Sequence, residues 1–119
     1  MQGNQLGPIR VWHLNEDIPG LAMTRSFGDH TAAIVGVIAT PEITEMNFVA
    51  GDQFIVIASD GVWEFISNEE VSAIVMPFYQ QNSAEKASEA LIKESTRRWQ
   101  QEDTSIDDIT CIIIFLQIQ

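Results

Sequence analysis

"FIVIASDGVWEF" occupies Phe54 to Phe65. Its first residues, Phe54 to Ala58, are all apolar and rich in β-branched types, and Gly51-Asp52 before them is a turn signal. That combination predicts a buried central strand. The run stops at Ser59, Asp60 and Gly61, and apolar residues then resume. An Asp-Gly pair is first of all a turn dipeptide, and a solvated loop would account for it.

A second acid bears on that reading. Asp107-Asp108 stands immediately before "ITCIIIFL", a β-branched segment from Ile109 to Leu116. Cys111 to Leu116 is apolar at every position, so a strand in mid-sheet, covered on both faces, is expected. If Phe54–Ala58 and Ile109–Leu116 lie antiparallel in one sheet, the end of the first meets the start of the second. Asp60 and Asp107 would then share one sheet edge. Two adjacent carboxylates repel unless one is protonated. A hard divalent cation removes the conflict, because Mg²⁺ and Mn²⁺ prefer carboxylate and water oxygens.

Between these strands the pattern is helical. "SNEE" (67–70) is a capping box, with Ser67 at the N-cap and Glu70 reaching back. Val71, Ile74, Val75 and Phe78 follow at helical spacing, with Pro77 expected to fray or kink the last turn. "NSAE" (82–85) opens a second helix with Asn82 as the expected cap. Ala84, Ala87, Leu91 and Trp99 share one of its faces, and Glu89/Lys93 and Glu94/Arg98 are i,i+4 pairs on the other.

The amino-terminal stretch is read more coarsely. A short strand is expected around Ile9 to His13, and a turn at Pro19-Gly20. Leu21 to Asp29 is expected to form a short helix stopped by Gly28. Ile34 to Ala39 reads as a strand, and Glu42 to Phe48 as a half-buried one, with Thr44, Met46 and Phe48 on one face. Strands, two adjacent helices and a final strand define an α+β domain with mostly antiparallel sheet.

Composition narrows the chemistry. The chain has 119 residues, enough for one domain. Hydrophobic residues make up 45% and charged residues 19%, a globular balance. Six basic residues against seventeen acidic give a net charge of −11, so neither nucleic acid nor an anionic membrane is an expected partner. Cys111 is the one cysteine, which precludes an internal disulfide and favours an intracellular setting, cytoplasm or nucleus, over secretion. Cys111 itself reads as a small core residue. The polar start "MQGNQLGPIR" has no apolar signal core, and no run approaches the roughly 20 residues of a membrane span.

Taken together, "GLAMTRSFGD", "FIVIASDGVWEF", "SNEEV" and "DDIT", in this order, resemble the PPM-type (type 2C) metal-dependent protein serine/threonine phosphatases. The resemblance spans nearly the whole chain and corresponds to the C-terminal half of that family's catalytic domain. It implies part of an α-β-β-α sandwich, with residues 1–119 as the C-terminal portion of the phosphatase domain. It implies hydrolysis of phosphoserine and phosphothreonine on phosphoprotein substrates. Asp60 matches the first aspartate of the family's Asp-Gly-x-Trp-Asp motif, and Asp107 that of its Asp-Asn-x-Ser/Thr motif. Both would be ligands of a binuclear Mg²⁺ or Mn²⁺ centre. Glu64 falls where the family often has a second aspartate linked to a third metal, and it is one methylene longer. Asp108 replaces the usual asparagine. Thr24, Arg25 and Asp29 match the Ser/Thr-Arg-x-x-Gly-Asp element, with Arg25 as an ion-pair partner and Asp29 bracing the site. Gly61 is expected to be structural beside the metal edge.

The mechanism so implied has no covalent enzyme intermediate: a metal-bridging water attacks phosphorus. The family's Glu-Asp pair, Asp-Gly-His-Gly motif and phosphate-binding arginine have no counterpart in the sequence. The isolated chain is therefore expected to lack turnover. The alternative is a non-catalytic interaction module, a truncated lobe that associates through exposed sheet edges.

Overall fold

A computed structural model describes residues 9–102 and 105–118. The chain divides into two compact units, Met1–Met46 and Asn47–Gln119.

The second unit carries the main core. Strand β3 (Phe54–Ala58) pairs antiparallel with β4 (Cys111–Phe115), with Phe54 opposite Phe115 and Ala58 opposite Cys111. Between them in sequence come α2 (Asp60–Trp63), α3 (Asn68–Gln80) and α4 (Ala84–Gln101). Val62, Ile66, Val71, Val75, Ala87 and Leu91 form the buried cluster, and Val56, Ala58, Cys111 and Ile113 pack against it from the sheet. The expected stripes of both helices therefore do meet the sheet. Burial of such side chains is the main favourable contribution, about 1.5–3 kcal/mol for each fully buried aliphatic.

The capping box forms as read: the Glu70 N–H donates to Ser67 Oγ at 3.2 Å, and the Ser67 N–H donates to Glu70 Oε2 at 3.0 Å. Helix α3 runs on past Pro77 to Gln80. It then closes in a Schellman turn, with the Ser83 N–H on the Phe78 carbonyl at 2.9 Å and the Asn82 N–H on the Tyr79 carbonyl at 3.0 Å. Asn82 sits at φ 53° in this turn. It is thus the left-handed residue that ends α3, and Ser83 takes the N-cap position of α4, without a side-chain cap bond. The sequence cue was ambiguous because asparagine serves both roles.

The two strands are half-covered, which corrects the expectation of full cover. Ile57, Ile112 and Ile114 are 54%, 56% and 41% exposed on the face opposite the helices. Among the described residues, no third strand joins this sheet.

In the first unit, β1 (Val11–Trp12) pairs with β2 (Pro19–Leu21), so Pro19-Gly20 lies in a strand rather than in the connecting turn. Leu21 to Asp29 is not helical. Asp29 instead begins a helix: its carboxylate accepts from the Ala32 N–H at 2.9 Å and caps α1 (His30–Ala33). His30 is accordingly the first residue of α1. The expected strand Ile34–Ala39 is turn over its first half, with Gly36 at φ 104°, and has a single bridge from Ile38 to Arg25. Glu42–Phe48 forms no strand, and all of it is exposed. Strand preference depends on a neighbour to pack against, and among the described residues none covers these side chains.

Candidate metal centre

Antiparallel register fixes where β3 ends. Beyond Ala58 and Cys111 the ladder continues for one more residue: the Ser59 N–H donates to the Thr110 carbonyl at 2.9 Å. The Ser59 hydroxyl adds two contacts, accepting from the Thr110 N–H at 3.1 Å and donating to the Asp108 carbonyl at 3.2 Å. Asp60 thus emerges from β3 at the end of the sheet where the Asp107-Asp108 segment enters β4.

The chain turns at Asp60 into a single helical turn. The Glu64 N–H closes it on the Asp60 carbonyl at 2.9 Å. Glu64 therefore lies one turn beyond Asp60, on the same side of α2. Gly61 is buried, and a β-carbon there would collide with the Asp108 carbonyl oxygen and come within 3.0 Å of Ile109 Cα. Only glycine lets the two acid-bearing segments approach this closely.

Asp60, Glu64, Asp107 and Asp108 are all exposed. Asp107 Oδ1 accepts from the Asp108 N–H at 2.8 Å, which ties its carboxylate to its own chain. Carboxylate oxygens are the donor type that hard cations take. Among the described residues, no three His, Cys, Asp or Glu side chains gather into a metal-holding group. Two carboxylates at one sheet end fall short of a complete ligand set for a hard cation.

Trp63 and Trp99 brace this turn. Trp63 Nε1–H donates to the Ala58 carbonyl at 3.1 Å, and Trp99 Nε1–H donates to the Gly61 carbonyl at 2.7 Å. Arg98 Nη1 donates to the Phe65 carbonyl at 3.0 Å. The sequence placed Trp99 on the inward face of α4 through its spacing from Leu91. It gave no signal that the indole would reach back to Gly61, and none for the double role of Ser59.

Arg25 and Asp29 belong to the first unit. Arg25 Nη1 donates to the Thr40 carbonyl at 2.6 Å, and Nη2 lies 3.8 Å from Glu42 Oε1. Thr24 accepts the Ile38 N–H through its carbonyl at 3.3 Å. Of the two histidines, His13 Nε2 lies 2.8 Å from the Thr31 carbonyl.

Cys111 is half-buried against the core, and burial pushes its thiol above the usual range, which keeps it protonated.

Comparison with known proteins defines first the fold and then the family. The solved structure of a serine-threonine phosphatase 2C from Toxoplasma gondii superposes with a TM-score of 0.73 at 23% identity, over 82% of this chain and 30% of that one. That likeness assigns the α+β phosphatase 2C fold. The sequence model for Protein phosphatase 2C matches residues 4–104. Probable protein phosphatase 2C 72 of Arabidopsis thaliana is 42% identical over 108 residues, 91% of this chain and 33% of that protein. Probable protein phosphatase 2C 48 of Oryza sativa subsp. japonica is 39% identical over 111 residues, 92% of this chain and 31% of that protein. The chain belongs to the protein phosphatase 2C family, and it spans about a third of the length of these relatives.

Proposed function

We propose that residues 1–119 are the carboxy-terminal portion of a phosphatase catalytic domain that hydrolyses phosphoserine and phosphothreonine on proteins. Asp60 and Asp107 are the ligands this portion contributes to a Mg²⁺ or Mn²⁺ centre, with Glu64 reaching toward a third ion. The observation that carries this reading is the Ser59–Thr110 pairing, which brings the two acid-bearing segments to one sheet end. When bound, the metals would supply an activated water and neutralise charge on the phosphoryl oxygens. The protein's own part is to hold Asp60 where β3 passes into α2 and Asp107 in the segment that leads into β4. Arg25 and Asp29 order the first unit through Thr40, Glu42 and Ala32. An intracellular location accords with the single cysteine.

The chain alone should not turn over, because catalysis needs metals held from more sides than two acids provide. Complementation tests the reading. Mixed or fused with the amino-terminal remainder of a relative such as the Arabidopsis protein, the chain should release phosphate from a phosphoserine peptide in Mn²⁺. Asp60→Asn and Asp107→Asn should abolish that release. Turnover that survives both substitutions would overturn the reading.

The open isoleucine face supports a second reading, a non-catalytic interaction module that associates through its sheet. Light scattering separates the two: a monodisperse monomer at high concentration contradicts association.

A further inference from the structure

In the single-turn helix α2 the Asp60 carbonyl takes the Glu64 N–H, and the carbonyls after it are left for partners outside the turn. Two consecutive residues of α4 donate to carbonyls in and just beyond it. Arg98 donates to the Phe65 carbonyl at 3.0 Å, and Trp99 donates to the Gly61 carbonyl at 2.7 Å. The Trp99 ring also stands edge-on to Phe65, with centroids 4.7 Å apart at 78°. On its other side Gly61 lies against the Asp108 and Ile109 main chain. Gly61 is therefore gripped between an indole N–H and the backbone that follows Asp107.

We propose that Trp99 is a positioning residue for the candidate metal edge: by holding the Gly61 carbonyl it fixes the separation between the Asp60 turn and the Asp107-Asp108 segment. The inference rests on the phosphatase reading for its purpose, but the clasp itself does not require a metal. Trp99 would touch neither metal nor substrate, because its indole is engaged behind Asp60 by the next residue's carbonyl. Its effect passes through Gly61. A tryptophan whose only role was core packing would need the ring against Phe65 and not the donor.

Replacing Trp99 with benzothienylalanine keeps the bicyclic shape and removes the N–H, and Trp99→Phe is a second, genetically simple variant. Two readouts on the 119-residue chain decide the matter. The first is amide hydrogen exchange without metal. Loss of this partly buried hydrogen bond should speed exchange at Val62, Trp63 and Thr110 about tenfold while α3 amides keep their rates. The second is a Mn²⁺ titration followed by paramagnetic broadening near Asp60 and Asp107, whose midpoint should rise about tenfold in both variants. Unchanged exchange at those amides would overturn the clasp. Exchange that quickens equally through α3 and α4 would also overturn it, because Trp99 would then serve global stability alone. A wild-type chain with the exchange pattern intact but no Mn²⁺ broadening would overturn the metal reading and leave the clasp standing.

Discussion

Ser59 and Thr110 are bonded twice, through the Ser59 N–H on the Thr110 carbonyl at 2.9 Å and the Thr110 N–H on the Ser59 hydroxyl at 3.1 Å. The pair lies one residue beyond the last strand partners, Ala58 and Cys111. It carries sheet order up to the point where both acidic segments begin. Ser59→Ala keeps the backbone bond and removes the hydroxyl, leaving the Thr110 N–H without its partner. A loss of about 1 kcal/mol is expected in urea unfolding. Coincident unfolding curves for variant and parent would mean that water replaces the hydroxyl at no net cost.

Gly61 should be the least replaceable residue of the candidate site. A methyl group there meets main-chain atoms of Asp108 and Ile109, which cannot rotate away as a side chain could. Gly61→Ala is expected to cost about 1–3 kcal/mol, and chemical shifts on both sides of the gap should move. Denaturant unfolding and an amide correlation spectrum measure the two effects.

Acid should loosen the ion pairs within α4 and the Arg98 link from α4 to α3. Arg97 donates to Glu94 through Nε at 2.9 Å, and Arg98 through its own Nε at 2.8 Å. These bonds, that from Arg97 the larger influence, lower the Glu94 carboxyl from 4.5 to about 2. Arg98 also reaches Glu70 at 3.1 Å. The Glu70 carboxyl is lowered as well, first by the Ser67 N–H and then by Arg98. A carboxyl depressed in the folded state contributes stability above its unfolded value and loses it as pH falls through the folded one. For Glu94 that window runs from 4.5 down to about 2. Thermal melts should show Tm falling across this window, with a shallower fall in Glu94→Gln. The same slope in variant and parent would remove Glu94 from the acid response.

The two faces of the β3–β4 sheet should respond oppositely to substitution. Leu91 on α4 is fully buried in the cluster beneath the sheet, and Leu91→Ala should cost about 3 kcal/mol. Ile112 on the open face is more than half exposed, and Ile112→Thr should change stability by less than about 0.5 kcal/mol. Equal losses at the two positions would show that the isoleucine face is covered in solution.

The second unit was the more legible in sequence. Its strands, capping box and helical stripes are local patterns that pack against one another, so propensity and tertiary context agree. The Asp60 and Asp107 segments could be brought to one end because antiparallel pairing follows from two apolar runs. Ile34–Ala39 and Glu42–Phe48 misled for the converse reason. Gly36 turns the first segment while Val37 is buried, and the alternation in the second does not reveal whether a surface covers it. Asn82 and Asp29 were misread because each can end one element or start the next. The reach of Trp99 to Gly61 is a long-range contact between a side chain and a carbonyl, and no periodicity encodes it.

The central claim is that Asp60 and Asp107 hold one ion between them. Titrating Mn²⁺ into the isotope-labelled chain, with amide resonances followed in parent, Asp60→Asn and Asp107→Asn, tests it most directly. Resonances flanking both residues should fade together at a common midpoint in the parent, and either substitution should restore both sets. Fading at one segment alone, or fading spread evenly over the acidic surface and indifferent to both substitutions, would contradict it.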